Sequence, residues 1–165
     1  MKPTKPVLLA VTFVSLSLLT FALYLQYVEH MQPCPLCVIQ RYAFFVVALI
    51  CIIALGLPRT MHKVSAGLAG LVALAGAGVA GWHIYIKAHP NISCGIDPLE
   101  TALNKFPSAD LLPFLFKADG LCATPYPPIL GLSIPQWSLI WFVVLGVALL
   151  HSALQRTRAK NNYAK

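Results

Sequence analysis

Charge is scarce in this sequence of 165 residues: only 10% are charged and only five of those are acidic. A soluble domain of this length carries roughly a quarter charged residues, so an ordinary water-exposed fold is excluded. Internal repeats and low-complexity tracts are absent as well. The basic residues, which give a formal charge of +7, form no patch interleaved with aromatics. That absence argues against a nucleic-acid partner. The first apolar run follows Met1-Lys-Pro-Thr-Lys5, a basic start like that of a signal peptide. It is longer than a cleavable core of roughly 7–15 residues and no A-x-A-like site follows it, so it is expected to be retained as a span.

What the sequence has is hydrophobic length. Fifty-eight per cent of the residues are hydrophobic, and they fall in four blocks at approximately 7–28, 38–57, 64–86 and 135–154. A bilayer crossing takes about 20 such residues. Four buried core helices would need a polar shell, and the remaining residues are too few to supply one. The expected fold is an all-α membrane protein, a single domain over 1–165. It is a four-helix transmembrane bundle with a short first outward loop (approximately 29–37) and a long second one (approximately 87–134).

Orientation follows from the positive charges. Lys2, Lys5, Arg59, Lys63, Arg156, Arg158, Lys160 and Lys165 fall on one side, eight of the twelve basic residues. The other side holds all five acids, Glu29, Asp97, Glu100, Asp110 and Asp119. Both termini are therefore expected to be cytoplasmic, with the two remaining loops facing outward. The long loop is punctuated by prolines, which predicts only short regular structure there. Within it, Leu111, Leu112, Leu115 and Phe116 can share a helical face. Such a helix suits either the membrane surface or a cap on the bundle.

The cysteines divide along the same line. Cys34 and Cys37 form a C-x-x-C pair at the outward mouth of the second span, and Cys94 and Cys122 lie in the long outward loop. Cys51 sits mid-span among isoleucines and reads as a small packing residue. Four thiols thus face a compartment where disulfides persist. A C-x-x-C at a helix start can close a small ring, and the helix N-terminus favours a reactive thiolate there. Arg41 follows four residues after Cys37, on the same helical face. Near the apolar region an arginine is costly and marks function, as a partner for a thiolate or for a carbonyl oxygen of a bound ring. Snorkelling to headgroups is the alternative. Zinc ligation by the four outward cysteines is disfavoured, since only one pair has knuckle spacing, and no metal is expected. Two static disulfides stapling loops in a non-enzymatic membrane protein explain the loop pair, but not a C-x-x-C beside a membrane arginine.

Taken together, the four spans, Cys34-Pro-Leu-Cys-Val-Ile-Gln-Arg41, the pair Cys94 and Cys122, and Gly131-Leu-Ser-Ile-Pro-Gln-Trp137 resemble the DsbB family. These are bacterial inner-membrane proteins that reoxidise the periplasmic disulfide donor DsbA and pass electrons to quinone. The resemblance covers nearly the whole chain. It implies that Cys34–Cys37 is the disulfide that hands electrons to a quinone (ubiquinone or menaquinone) and that Arg41 helps to bind that quinone. Cys94–Cys122 would be the loop disulfide that oxidises a periplasmic DsbA-like partner. His83 falls where many relatives carry an Arg-His pair, with Trp82 here in place of the arginine; His83 is a further quinone contact by the same resemblance. His89, nearby, reads as interfacial. A paralogue of the same chemistry serving a dedicated partner is the alternative within the family. DsbA-like donors sit near about −120 mV, so a glutathione-like acceptor would oppose turnover by several kcal/mol, which a more oxidising lipid-soluble quinone avoids.

Overall fold

A computed structural model describes residues 4–89, 96–120 and 126–154. Four long helices dominate it: α1 (Thr4–Tyr27), α2 (Pro35–Gly56), α3 (His62–Ala88) and, at the end of the chain, α7 (Ile134–Leu154). All four are long and apolar enough to cross a membrane. Three short helices, α4 (Ile96–Asn104), α5 (Pro107–Leu111) and α6 (Pro113–Phe116), lie in the loop before α7. No strand occurs among the described residues; Ile129 and Leu132 form only an isolated bridge.

The long helices form a ring in the order α1, α2, α3, α7, which closes more sparsely from α7 back to α1. Without a hydrophobic driving force between helices in lipid, close packing is set by small residues, and α3 supplies them. Ala66, Ala69, Ala73 and Ala80 are fully buried. At Gly76 an added Cβ would stand 2.5 Å from the Phe142 ring. This close approach lets Phe142 stack on Phe44 of α2, centroid to centroid 3.9 Å. Large apolar residues such as Phe13, Ile53, Leu71 and Val147 point outward, as lipid-facing positions require.

Helix boundaries have local causes. Cys34 caps α2 in an extended conformation and Pro35 takes the first helical position, where a missing N–H costs nothing. The second span therefore begins three residues ahead of the apolar block that announced it. At α7, Gln136 Oε1 accepts from the Ser133 backbone N–H at 2.7 Å, the reach-back half of a capping box. Trp137 Nε1 donates to Ile129 O at 2.9 Å, fastening the turn before the helix. These contacts account for the Ser-Ile-Pro-Gln-Trp run.

The expected amphipathic helix around residues 108–119 is instead two short pieces. Pro113 starts α6 after Leu112 departs from helical geometry, since a proline removes the donor and clashes with the preceding turn. The break rotates Leu111 outward, 78% exposed, while Leu115 and Phe116 are buried. Phe116 stacks on Tyr42 of α2 at 4.1 Å, so this segment caps the bundle with those two side chains. Asn104 then pins the following chain, its amide exchanging two hydrogen bonds of 3.0 Å with the Ala118 backbone.

Candidate active site

The end of α2 that carries the C-x-x-C gathers three buried polar side chains, Gln40, Arg41 and His83. Cys34 is 2% exposed, and its sulfur accepts from the Cys37 backbone N–H at 3.3 Å, so a thiol serves as the helix cap. The two sulfurs are 3.0 Å apart, with Cys34 Sγ donating to Cys37 Sγ. The pair is thus a hydrogen-bonded dithiol, the reduced form of a C-x-x-C. The Cys34 thiol, just ahead of the span, is pushed far above the usual thiol range, first by its hydrogen bond to Cys37 and then by burial.

His83 comes from the far end of α3. It is 3% exposed, with Nε2 3.7 Å from Cys34 Sγ. Its other nitrogen, Nδ1, lies 3.3 Å from Gln40 Nε2. An amide N–H only donates, so Nδ1 accepts and the hydrogen on a neutral ring sits on Nε2, directed at the sulfur. Trp82, one residue earlier, faces away and stacks on Tyr85. Helical geometry therefore separates the two neighbours: the tryptophan lies outside the site and the histidine inside it. His89 is exposed and bonds to Tyr85 O, away from the thiols.

Arg41 is buried rather than extended to the surface, which excludes snorkelling. Nη1 donates to Gln26 Oε1 at 2.6 Å and to Leu115 O at 3.2 Å, and Nη2 donates to Ala22 O at 3.2 Å. The guanidinium thereby joins α1, α2 and α6, and its fork geometry suits such divergent acceptors. It also lines the cavity described next, so it shapes the wall as well as holding it.

Where α7 packs sparsely on α1, a cavity of about 320 Å³ opens beside the thiols. Its walls are mostly apolar, with Phe44, Trp137 and Trp141 among them, and its polar groups include Cys34, Cys37, Gln40, Arg41, His83 and Lys87. An apolar pocket with a few convergent polar groups is the usual form of a small-molecule site. Sequence reasoning did not pick out Gln40, Gln26 or Lys87. Lys87 follows His83 by one helical turn, and Gln40 precedes Arg41 directly; helical spacing alone held that signal. Cys51 is fully buried in the apolar core.

Cys94 and Cys122 lie outside the described residues, and so does their expected pairing. The chain on both sides of Cys122 is nevertheless held close to the C-x-x-C. The Asp119 and Gly120 backbone N–H groups donate to Pro33 O at 3.1 Å, and Tyr126 Oη donates to Gln32 O at 3.2 Å. A Cβ at Gly120 would meet Gln32 O at 2.5 Å, so this approach needs a glycine.

A family model described as Disulfide bond formation protein DsbB matches residues 4–152. The chain belongs to the DsbB family. Among its relatives, Disulfide bond formation protein B of Herminiimonas arsenicoxydans is 63% identical over 156 residues, covering 94% of this chain and 99% of the relative. The protein of the same name from Ralstonia nicotianae is 45% identical over 150 residues, 91% of this chain and 94% of its own. Disulfide bond formation protein B 1 of Pseudomonas fluorescens is 46% identical over 148 residues, 89% and 87% respectively. DsbB membership matches the resemblance carried by the C-x-x-C, Arg41 and the Pro-Gln-Trp entry to α7.

Proposed function

We propose that this DsbB-family chain is an inner-membrane thiol:quinone oxidoreductase that reoxidises a periplasmic DsbA-like disulfide donor. The observation that carries the reading is a hydrogen-bonded C-x-x-C, with Cys34 buried and Cys37 half-buried, opening onto an apolar cavity that also presents Arg41 and His83. Cys34, Cys37, Cys94 and Cys122 are the redox residues. The charge distribution supports cytoplasmic termini and a periplasmic active end.

The route runs from the partner to the loop pair, and from the loop pair to the helix pair. A partner thiolate attacks the Cys94–Cys122 disulfide and forms a mixed disulfide with one loop sulfur, releasing the other as a thiolate. The released loop thiolate attacks the Cys34–Cys37 disulfide, so the two outward loops are joined. The partner's second thiol then displaces the loop sulfur and leaves as an oxidised dithiol. The displaced loop thiolate resolves the link between the loops, which reforms Cys94–Cys122 and leaves Cys34 and Cys37 reduced. Two electrons have moved, and the loop pair is regenerated. The hydrogen bonds from Asp119, Gly120 and Tyr126 to the residues just ahead of Cys34 support this exchange by holding those three residues close to the helix pair.

The cavity fits a quinone headgroup: the aromatic walls suit a flat ring, and Arg41 on the wall has guanidinium N–H groups beyond its three hydrogen bonds to offer a carbonyl oxygen. A quinone held there supplies a two-electron, two-proton acceptor. Cys34 donates its thiol hydrogen toward Cys37, which directs electron density to the sulfur nearer Arg41 along the helix. The His83 Nε2 hydrogen steadies the sulfur of Cys34, and the apolar walls exclude water from the pair.

The test is turnover by the purified protein with a reduced DsbA-like donor and a quinone. Donor oxidation and quinol formation should advance together, and both should cease in Cys34→Ser and Cys37→Ser. Coupled turnover persisting in either variant overturns the reading.

A further inference from the structure

The dithiol has a third soft donor beside it. Cys34 Sγ, Cys37 Sγ and a ring nitrogen of His83 all lie within 4.8 Å of one another. Two thiolates and an imidazole are the donor set of an open Cys₂His zinc site. With Zn–S near 2.3 Å and Zn–N near 2.0–2.1 Å, tetrahedral donors stand about 3.5–3.8 Å apart. The observed separations are 3.7 Å from Cys34 Sγ to His83 Nε2 and 3.0 Å between the sulfurs. The sulfur pair has to open by less than about 1 Å, and Cys37 Sγ already lies within 4.8 Å of a His83 ring nitrogen.

The surroundings supply what such a site needs beyond its ligands. A metal-bound histidine usually donates its other ring N–H to an oxygen, which fixes the tautomer. Gln40 sits at His83 Nδ1, and turning its amide over presents Oε1 to an Nδ1–H and leaves the Nε2 lone pair facing the sulfurs. Cys37 is half-buried on the cavity wall, which gives an ion a way in and leaves a fourth position for water. Two thiolates cancel the charge of a divalent ion, so the nearby Arg41 faces a neutral centre.

We propose that the reduced Cys34–Cys37 pair and His83 form a capture site for a thiophilic divalent cation, Zn²⁺ or Cd²⁺, that arrests the protein in its dithiol form. Two thiol protons are released, two metal–sulfur bonds and one metal–nitrogen bond form, and no electrons change hands. The Cys34–Cys37 disulfide offers no thiolates, so capture is confined to the reduced state. The loop cysteines take no part, which separates this site from a zinc centre built on all four outward cysteines. Metal binding stands on the geometry alone; the arrest of turnover rests on the oxidase reading.

The test uses the full chain in detergent, stripped of quinone, with Cys51→Ser, Cys94→Ser and Cys122→Ser so that only the helix pair remains. Zn²⁺ is titrated against a colorimetric chelator, and Cd²⁺ is followed by its thiolate charge-transfer absorbance. The reduced protein should bind one metal per chain and the oxidised protein none. His83→Ala should weaken binding at least about tenfold, and Gln40→Glu should tighten it. If His83→Ala does not fold by thermal melt, His83→Asn replaces it with the same expectation. Absent binding by the reduced chain, equal uptake by the oxidised chain, or unchanged affinity without His83 overturns the proposal. In the unsubstituted protein, Zn²⁺ should stop turnover reversibly on chelation. Metal binding without any turnover to inhibit strikes the oxidase reading instead, and turnover insensitive to bound metal strikes the arrest.

Discussion

Two stretches of α2 hold buried cysteines and put them to different uses. Around Cys51 the neighbours are apolar, the facing helices meet through alanine and glycine, and Phe44 and Phe142 stack. Around Cys34 and Cys37 the neighbours are Gln40, Arg41 and His83, all buried and all hydrogen-bonded. A thiol buried among hydrocarbon is a small hydrophobe. A thiol buried beside another thiol and an imidazole has partners for its proton and its charge. Burial is common to both, so partners make the difference.

The largest effect that separates the two regions is on activity. Cys37→Ser should reduce donor oxidation by at least about a thousandfold, the scale of removing a nucleophile. Cys51→Ala should leave the rate within about twofold and lower stability by about 1 kcal/mol through a small cavity. Initial rates together with thermal melts check both. A large rate loss in Cys51→Ala would dissolve the distinction.

Packing gives the next effect, and it points the other way. Gly76→Ala places a Cβ against the Phe142 ring and should destabilise the bundle by about 1–3 kcal/mol, read as a lower melting temperature. The reactivity of Cys34 and Cys37 toward a thiol reagent should change little below that temperature.

A smaller and more selective effect is expected at Arg41. Lysine keeps the charge but cannot reproduce the fork that reaches Gln26, Ala22 and Leu115, so Arg41→Lys should raise the quinone KM about tenfold, roughly 1.4 kcal/mol. Single-turnover reaction with the partner should be nearly unchanged. Least of all, Trp82→Phe should alter neither KM nor rate by more than about twofold, because Trp82 stacks on Tyr85 away from the cavity. A large change there would return the position to the site.

Much of this was legible in the sequence, because hydrophobic length and charge asymmetry are one-dimensional signals. The four spans and the partition of Cys34 and Cys37 from Cys51 follow from them. What composition and spacing do not encode is which residues of different helices face each other. Trp82 and His83 are adjacent in sequence and point to different sides, a rotation of about 100° per helical residue. Gln40 gains meaning only once α3 brings His83 beside it. Arg41 reads as functional from its position, but its acceptors, Gln26, the Ala22 carbonyl and the Leu115 carbonyl, come from two other elements. The amphipathic reading of residues 108–119 gave too little weight to one proline, which splits the face it describes.

The central claim is that the Cys34–Cys37 pair itself passes electrons to the acceptor. It is tested most directly with a Cys94→Ser/Cys122→Ser protein whose Cys34 and Cys37 are reduced, mixed anaerobically with a quinone and no partner. The account predicts one quinol per chain, with Cys34 and Cys37 converted to a disulfide in the same step. Quinol formation that leaves both thiols free, or no quinol at all, would contradict it.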